Sequence, residues 1–261
     1  MDQPLPPAQP VGPFTLAIDI GGTGLKLGVL DAHGHLVGES HRTPTPRRAT
    51  PAAVVDAITG VVPGLASFDR ISVGFPGVVR HGQVLTAPNL DNEAWHHFPL
   101  VATLSDRLER PVRMLNDATV QGLGVIAGHG VECVLTLGTG MGFALFQDGR
   151  LTPHLELSHH PVHKRKDYDQ YIGNAALYNV GRKRWNRRVQ RALGHITALV
   201  GYDTLYIGGG NARHIRFDLP ANVHIVSNKA GVTGGVRLWD PALDPAFATP
   251  TAPVRIASTV V

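Results

Sequence analysis

The sequence predicts an α/β protein of duplicated design, with two lobes around a cleft. Apolar strand-like runs alternate with stretches of helical spacing, which is the first sign of that class. An unusual hairpin pattern occurs twice, as LAIDIGGTGLKLGVLD from Leu16 to Asp31 and as CVLTLGTGMGFALFQD from Cys133 to Asp148. Glycine clusters also follow several of the strand-like runs. Each hairpin is an apolar run, a Gly/Thr turn, a second apolar run and a turn built on Asp and Gly. Two such hairpins suggest two related lobes that offer glycine-rich loops to one shared anion. A kinase working between two lobes is the first hypothesis.

The elements follow in order. Residues 1–13 read as a proline-rich flexible tail. Phe14 to Leu30 forms two strands joined at Gly21-Gly22-Thr23-Gly24. Leu36 to Ser40 continues the sheet, and HRTPTPRRAT after it is a loop. Pro51 to Leu65 has helical spacing, with Thr50 as N-cap and proline at the first helical position. Ile71 to Phe75 is a buried strand, Leu100 to Leu108 a helix, and Pro111 to Leu115 a strand ending at Asn116-Asp117. Ala118 to Ala127 is helical, and the second hairpin follows. Lys164 to Val180 and Arg182 to Val200 are helices. Thr204 to Ile207 is a strand ending in Gly208-Gly209-Gly210, Val223 to Val226 a last strand, and Ala230 to Leu238 a last helix. Residues 14–117 and 118–240 would be the two lobes, and residues 241–261 a tail.

Composition narrows the class. The chain is 43% hydrophobic and 17% charged, which suits a soluble globular protein. No apolar run is long enough to span a membrane. The N-terminus lacks the basic and apolar regions of a secretory signal, so a cytoplasmic protein is expected. Cys133, the single cysteine, sits in an apolar strand and reads as a small core residue. The 24 basic and 20 acidic side chains permit a polyanionic partner without demanding one.

Several clusters carry chemistry. Glycines at 21, 22 and 24 with Thr23 let backbone N–H groups converge on a phosphate, with Lys26 close behind. Asp19, at the strand end, can hold a metal-bound water beside it. Gly138, Thr139 and Gly140 form the partner loop; a plain β-turn is the alternative for either copy alone. No Walker A sequence is present, and no Gly-x-Gly-x-x-Gly opens a helix. Asp117 follows a buried strand, where a carboxylate can take a proton from an attacking hydroxyl. Alternatively, Asn116 or Asp117 simply caps the next helix. Glu156 and His159 are spaced to face one sugar. The four histidines His154, His159, His160 and His163 also admit a metal reading, although no cysteine completes a tetrahedral set. Gly208-Gly209-Gly210-Asn211 suits a flat ligand against bare backbone. Arg184, Arg187, Arg188 and Arg191 share one helical face, opposite a core face of Trp185, Val189, Ala192 and Ile196. That stripe is either a solvated surface or a polyanion track.

Taken in order, DIGGTGLK (19–26), GFPGVV (74–79), APNLDNEAW (87–95), MLNDATVQGLG (114–124), TLGTGMGFALF (136–146), ELSHH (156–160), KRWNRRV (183–189), LYIGGGNA (205–212) and AGVTGGVRLW (230–239) form a specific set. The set resembles the ROK family of sugar kinases, in the sugar kinase/actin/Hsp70 superfamily, and within it the polyphosphate glucokinase branch. The likeness covers residues 14–240 and implies an actin-like duplicated fold. It implies transfer of a phosphoryl group from polyphosphate, ATP or both to the 6-hydroxyl of glucose. Asp117 would be the catalytic base. Asn89, Asn116, Glu156 and His159 would hold the sugar. Asp169 would join them as a sugar-binding residue, since it falls where the family usually has a glutamate that touches the sugar, although its shorter side chain departs from the pattern. The loops at 21–24 and 138–140 would surround the transferred group, with Mg²⁺ near Asp19, and Gly208 to Asn211 would face a nucleotide. HHPVHKRKDYDQY occupies the stretch of the family's cysteine-rich zinc motif, so no structural zinc is expected. No helix-turn-helix precedes Phe14, so no nucleic-acid partner is expected. A homodimer is implied by the family alone. A kinase for another hexose and a non-catalytic sugar or polyanion sensor are the alternatives.

Overall fold

The computed structural model of the chain describes residues 10–227 and 230–248. Its first sheet contains β1 (Thr15–Ile20), β2 (Gly24–Leu30), β3 (Leu36–Pro44) and β4 (Arg70–Phe75). Helix α1 (Pro51–Val61) lies between β3 and β4, capped as the sequence predicts by the Thr50 hydroxyl, which accepts from Ala53 N–H at 3.4 Å. A small hairpin, β5 (Val79–Arg80) and β6 (Gln83–Val84), precedes helices α2 (Asn92–Trp95) and α3 (Leu100–Leu108). Strand β7 (Val112–Asn116) completes the sheet in the order β3-β2-β1-β4-β7.

Helix α4 (Asp117–Leu123) leads to a second sheet of β8 (Val131–Leu137), β9 (Met141–Gln147) and β10 (Arg150–Leu151). After the hairpin β11 (Pro161–His163) and β12 (Lys166–Asp167) come helices α5 (Tyr168–Ile172) and α6 (Asn174–Val200). Strands β13 (Thr204–Gly208) and β14 (Val223–Ile225) finish the sheet in the order β10-β9-β8-β13-β14. Helices α7 (Ala230–Arg237) and α8 (Asp244–Phe247) end the described chain.

The two sheets have one topology. In each, the first two strands form an antiparallel hairpin, the third adds antiparallel to the second, and two parallel strands extend the other side. The repeated hairpin of the sequence therefore marks a repeated lobe. Each sheet has its own apolar core. Leu16, Ile20, Val54, Ile58, Phe75 and Trp95 anchor the first; Leu135, Phe143, Trp185, Val189 and Ile196 anchor the second. Cys133 is buried in the second core, as expected of a small core residue. Trp185, Val189, Ala192 and Ile196 are all fully buried, so the predicted core face of the arginine-bearing helix holds. No described helix is long and apolar enough to cross a membrane.

Some sequence expectations hold and others are corrected. His41 to Pro44 belongs to β3 rather than to a loop; β3 lies at the sheet edge, where proline is tolerated. The helix expected from Lys164 begins only at Tyr168, because Lys164 and Arg165 take positive φ in the β11–β12 turn. The expected break between two helices near 181 is present as a kink inside α6, where Gly181 has φ 72°. The fold also runs past Asp240. Leu243 is buried, and Asp244 pairs with Arg113 of β7 at 2.7 Å, so the expected tail does not begin at 241. Residues 1–9 and 249–261 of the expected tails lie outside the described residues. Finally, α7, assigned by sequence to the second lobe, packs on β1 of the first sheet and on α4. Ser72 of β4 donates its hydroxyl to Gly235 O of α7 at 2.6 Å.

Candidate active site

The carboxyl ends of both sheets face one cavity of about 290 Å³. Parallel strand ends are where α/β folds collect ligands. Asp19, Gly21, Gly22, Thr23, Gly24 and Lys26 line it from the first hairpin, and Gly138, Thr139 and Gly140 from the second. Asn89, Asn116, Asp117, Glu156, His159 and Asp169 line the same space. Gly209 and Gly210 reach it as well, but Gly208 and Asn211 do not. Gly208 is still within β13, and Asn211 turns its amide to Gly138 O at 3.1 Å, bracing the second loop.

Asp117 is the first residue of α4, and Asn116 is the cap: its Oδ1 accepts from Ala118 N–H at 3.0 Å and Thr119 N–H at 3.3 Å. The Asn116 amide donates to Gly77 O at 3.2 Å. Asn116 therefore does the capping, and most of its polar capacity is spent on backbone. The Asp117 carboxylate accepts from Ala118 N–H at 2.7 Å. Burial pushes its pKa up to about 7, reinforced by the charges of Asp19 and Glu156 and opposed by the Ala118 N–H. A carboxyl poised there is matched to proton transfer near neutrality.

Glu156 contrasts with it. Burial pushes its pKa up, but hydrogen bonds from His154 (3.3 Å) and Ser158, with the nearby His159, bring it below the ordinary value. It stays an anion, an acceptor for hydroxyl groups. Asp169 accepts from Met141 N–H at 2.6 Å and is raised above its ordinary value, mainly by burial. Its carboxylate packs so tightly on Gly140 that a Cβ there would collide with it. Asp169 thus buttresses the second glycine loop from the rim of the cavity.

Around the first loop, Lys26 Nζ donates to Asp19 Oδ2 at 2.8 Å across the β1–β2 pair. Asp19 lines the cavity beside the 21–24 loop. One carboxylate beside phosphate-binding backbone is a donor set that suits Mg²⁺, which keeps waters and takes its other ligands from substrate phosphates. Among the described residues, no three His, Cys, Asp or Glu gather as a protein-only metal cage. The four histidines diverge: His154 goes to Glu156, His159 to Asp167 (3.8 Å), His160 towards the Tyr168 ring and His163 towards the Tyr171 ring.

The sequence reading missed Arg42, Ser158 and Gln121 in the cavity wall, and took His154 only as a candidate metal ligand. Arg42 was hidden by the loop assignment of HRTPTPRRAT. In β3 it is the register partner of Lys26, and its guanidinium sits where a Cβ on Gly24 would point, 3.2 Å away. No acidic partner of Arg42 lies within ion-pair distance among the described residues. The signal that could have found it is the alternation of HRTP after a strand already assigned.

The four stripe arginines lie elsewhere. With His163 and Tyr171 they line a separate concavity of about 350 Å³.

Comparison with known proteins then fixes the family. The ROK family model matches residues 15–156. The chain belongs to the ROK family. It is 33% identical over 233 residues to the polyphosphate glucokinase of Mycobacterium tuberculosis, covering 83% of this chain and 88% of that protein. It is 30% identical over 203 residues to a glucokinase of Streptomyces coelicolor, covering 69% of this chain and 62% of that one. Among solved ROK-like folds, the inorganic polyphosphate/ATP-glucomannokinase of Arthrobacter sp. strain KM superposes with a TM-score of 0.78 at 33% identity, over 87% of this chain and 98% of the other.

Proposed function

We propose that this ROK protein is a glucokinase that transfers a phosphoryl group from polyphosphate, ATP or both to the 6-hydroxyl of glucose. The observation that carries the reading is Asp117, raised to about 7 and set in a cavity walled by both glycine loops. The names of the relatives supply the substrate classes.

Glu156, His159 and Asn89 hold the sugar hydroxyls, with Asn116 shaping the pocket floor. The transferable phosphoryl group lies between the 21–24 and 138–140 loops, whose backbone amides stabilise its charge. Asp117 accepts the proton of the attacking hydroxyl as its oxygen bonds to phosphorus. The bond to the leaving phosphate breaks, giving glucose 6-phosphate and either ADP or a chain one phosphate shorter. Asp19 would hold Mg²⁺ beside the 21–24 loop, where the ion would supply positive charge against the donor phosphates. Gly209 and Gly210 offer bare backbone to an adenosine. Closure of the lobes around the cavity excludes water.

The test is glucose 6-phosphate formation by purified protein with Mg²⁺, run in parallel with polyphosphate and with ATP. Product from at least one donor supports the reading. No product from either overturns it for glucose. Mannose is the next acceptor to try, since the Arthrobacter protein is described as a glucomannokinase.

A further inference from the structure

We propose that the arginine concavity on α6 is an anchor for the distal part of a polyphosphate chain, separate from the cavity where transfer occurs. The inference rests on the polyphosphate half of the function just proposed.

Arg184, Arg187, Arg188 and Arg191 fall on one face of α6, and that face is concave rather than convex because His163 of β11 and Tyr171 of α5 wall it. Four guanidinium groups one turn apart repel one another unless an anion joins them. No carboxylate within ion-pair distance of any of the four relieves that repulsion among the described residues. Arg188 is held in place: its Nη1 donates to Tyr171 O at 3.2 Å, and its guanidinium carbon sits 4.9 Å from the centre of the Tyr171 ring. The arrangement is thus a fixed donor among three freer ones. His163 registers the same positive field. Burial, then the charges of Arg191, Lys164 and Arg188, hold it below its ordinary pKa. Guanidinium forks match phosphate oxygens, and a run of them at helical spacing matches a repeating polyanion better than a single small anion.

The concavity and the transfer cavity share no lining residue. Helix α5 separates them. Asp169 lines the transfer cavity, while Tyr171, two residues on and about 3 Å further along the helix axis, lines the concavity. A donor must therefore extend past α5 to touch both. A long chain can do so, whereas a triphosphate held between the glycine loops has nothing left to reach α6.

Two double variants test this: Arg184→Gln with Arg187→Gln, whose side chains are exposed and make no recorded backbone contact, and Arg184→Glu with Arg188→Glu. Both are assayed for glucose phosphorylation with long-chain polyphosphate, with inorganic tripolyphosphate and with ATP. Direct binding of long-chain polyphosphate is measured without glucose. The expected result is a rise of roughly tenfold or more in KM for the long chain, with a shallower salt dependence. KM for tripolyphosphate and ATP, and kcat with every donor, stay within about twofold. Equal losses with all donors overturn the anchor and make the helix face structural. An unchanged long-chain KM overturns it as well, even while polyphosphate still yields product. Displacement of bound polyphosphate by a single-stranded oligonucleotide of equal charge at equal concentration would reassign the concavity to nucleic acid. Absence of product from polyphosphate in the unaltered protein removes the parent reading instead, and is seen before any variant is made.

Discussion

The two lobes share a topology and differ in what stands at the tips of their hairpins. In the first, Ile20 pairs with Leu25, so residues 21–24 form the loop. In the second, Leu137 pairs with Met141, which leaves the shorter loop 138–140. One step back from the closing pair, the first hairpin carries Asp19 opposite Lys26, bonded at 2.8 Å. The second carries Thr136 opposite Gly142, whose N–H donates to the threonine hydroxyl at 3.1 Å. The third strands diverge too. β3 is nine residues long and brings Arg42 to the loop, whereas β10 is two residues long and its Arg150 pairs with Gln147, at the far end of β9 from the loop. Duplication thus kept the scaffold and gathered charge around the tip of the first hairpin. The tip of the second hairpin carries no charge of its own and is braced by Asp169 and Asn211.

The largest test of that division is Asp117→Asn, at the junction of the lobes. Turnover should fall by roughly 10²–10⁴, with glucose affinity nearly unchanged when measured by titration. In the unaltered protein, kcat should rise with pH through about 7 and then level off, because protonated Asp117 cannot accept the hydroxyl's proton. A flat profile between pH 5.5 and 8.5 would remove Asp117 from that role.

Next comes the paired comparison of equivalent positions. Asp19→Asn should lower kcat by roughly tenfold to a hundredfold and raise the Mg²⁺ concentration needed for half-maximal rate. Thr136→Val should cost no more than about threefold. Equal effects would break the distinction between the charged and the uncharged hairpin tip.

Gly140→Ala should destabilise the protein by roughly 1–3 kcal/mol, since the new methyl meets the Asp169 carboxylate. Gly138→Ala, with no atom near its Cβ position, should leave the melting temperature within about a degree. A similar loss at both positions would mean that the loop, not the Asp169 buttress, limits stability.

The smallest effect is on stability and pH. Asp117 is an acid whose folded pKa is raised, so the unfolded chain loses its proton first as pH climbs. Its contribution is therefore most favourable below about pH 4 and is lost progressively towards about 7. Asp117→Asn should accordingly melt a few degrees higher than the unaltered protein at pH 8 and about equally at pH 4. Calorimetry at the two pH values decides it.

Much of this comparison was legible in the chain. The echoed hairpins carried the duplicated topology, because apolar runs bounded by glycine turns specify both strands and pairing. Asp117 and the two glycine loops converged on one cavity for the same reason: each sits at a strand end. What escaped was set by tertiary context. Pro44 masked a strand that tolerates it only because β3 is an edge. Lys164 and Arg165 look helix-compatible in sequence, but a tight β-turn claims them. Asn116 and Asp117 are adjacent and both able to cap, and only the structure shows that Asn116 caps and Asp117 stays open towards the cavity. That Gly208 and Asn211 stand back from the cavity depends on where β13 ends, which glycine content alone cannot place.

The seating of α7 has a consequence for how the molecule is made. A ribosome delivers the first sheet well before α7, yet part of that sheet's face is covered by α7. Gly235 sits against Ala17 and Ser72, and Arg113 of β7 bonds Leu238 O at 2.7 Å while its guanidinium lies 4.5 Å from the Trp239 ring. Strands β1, β4 and β7 must wait, partly uncovered, until the segment that forms α7 has been made. Such a chain closes its first-made half last, and the interval is when it is most exposed to wrong partners.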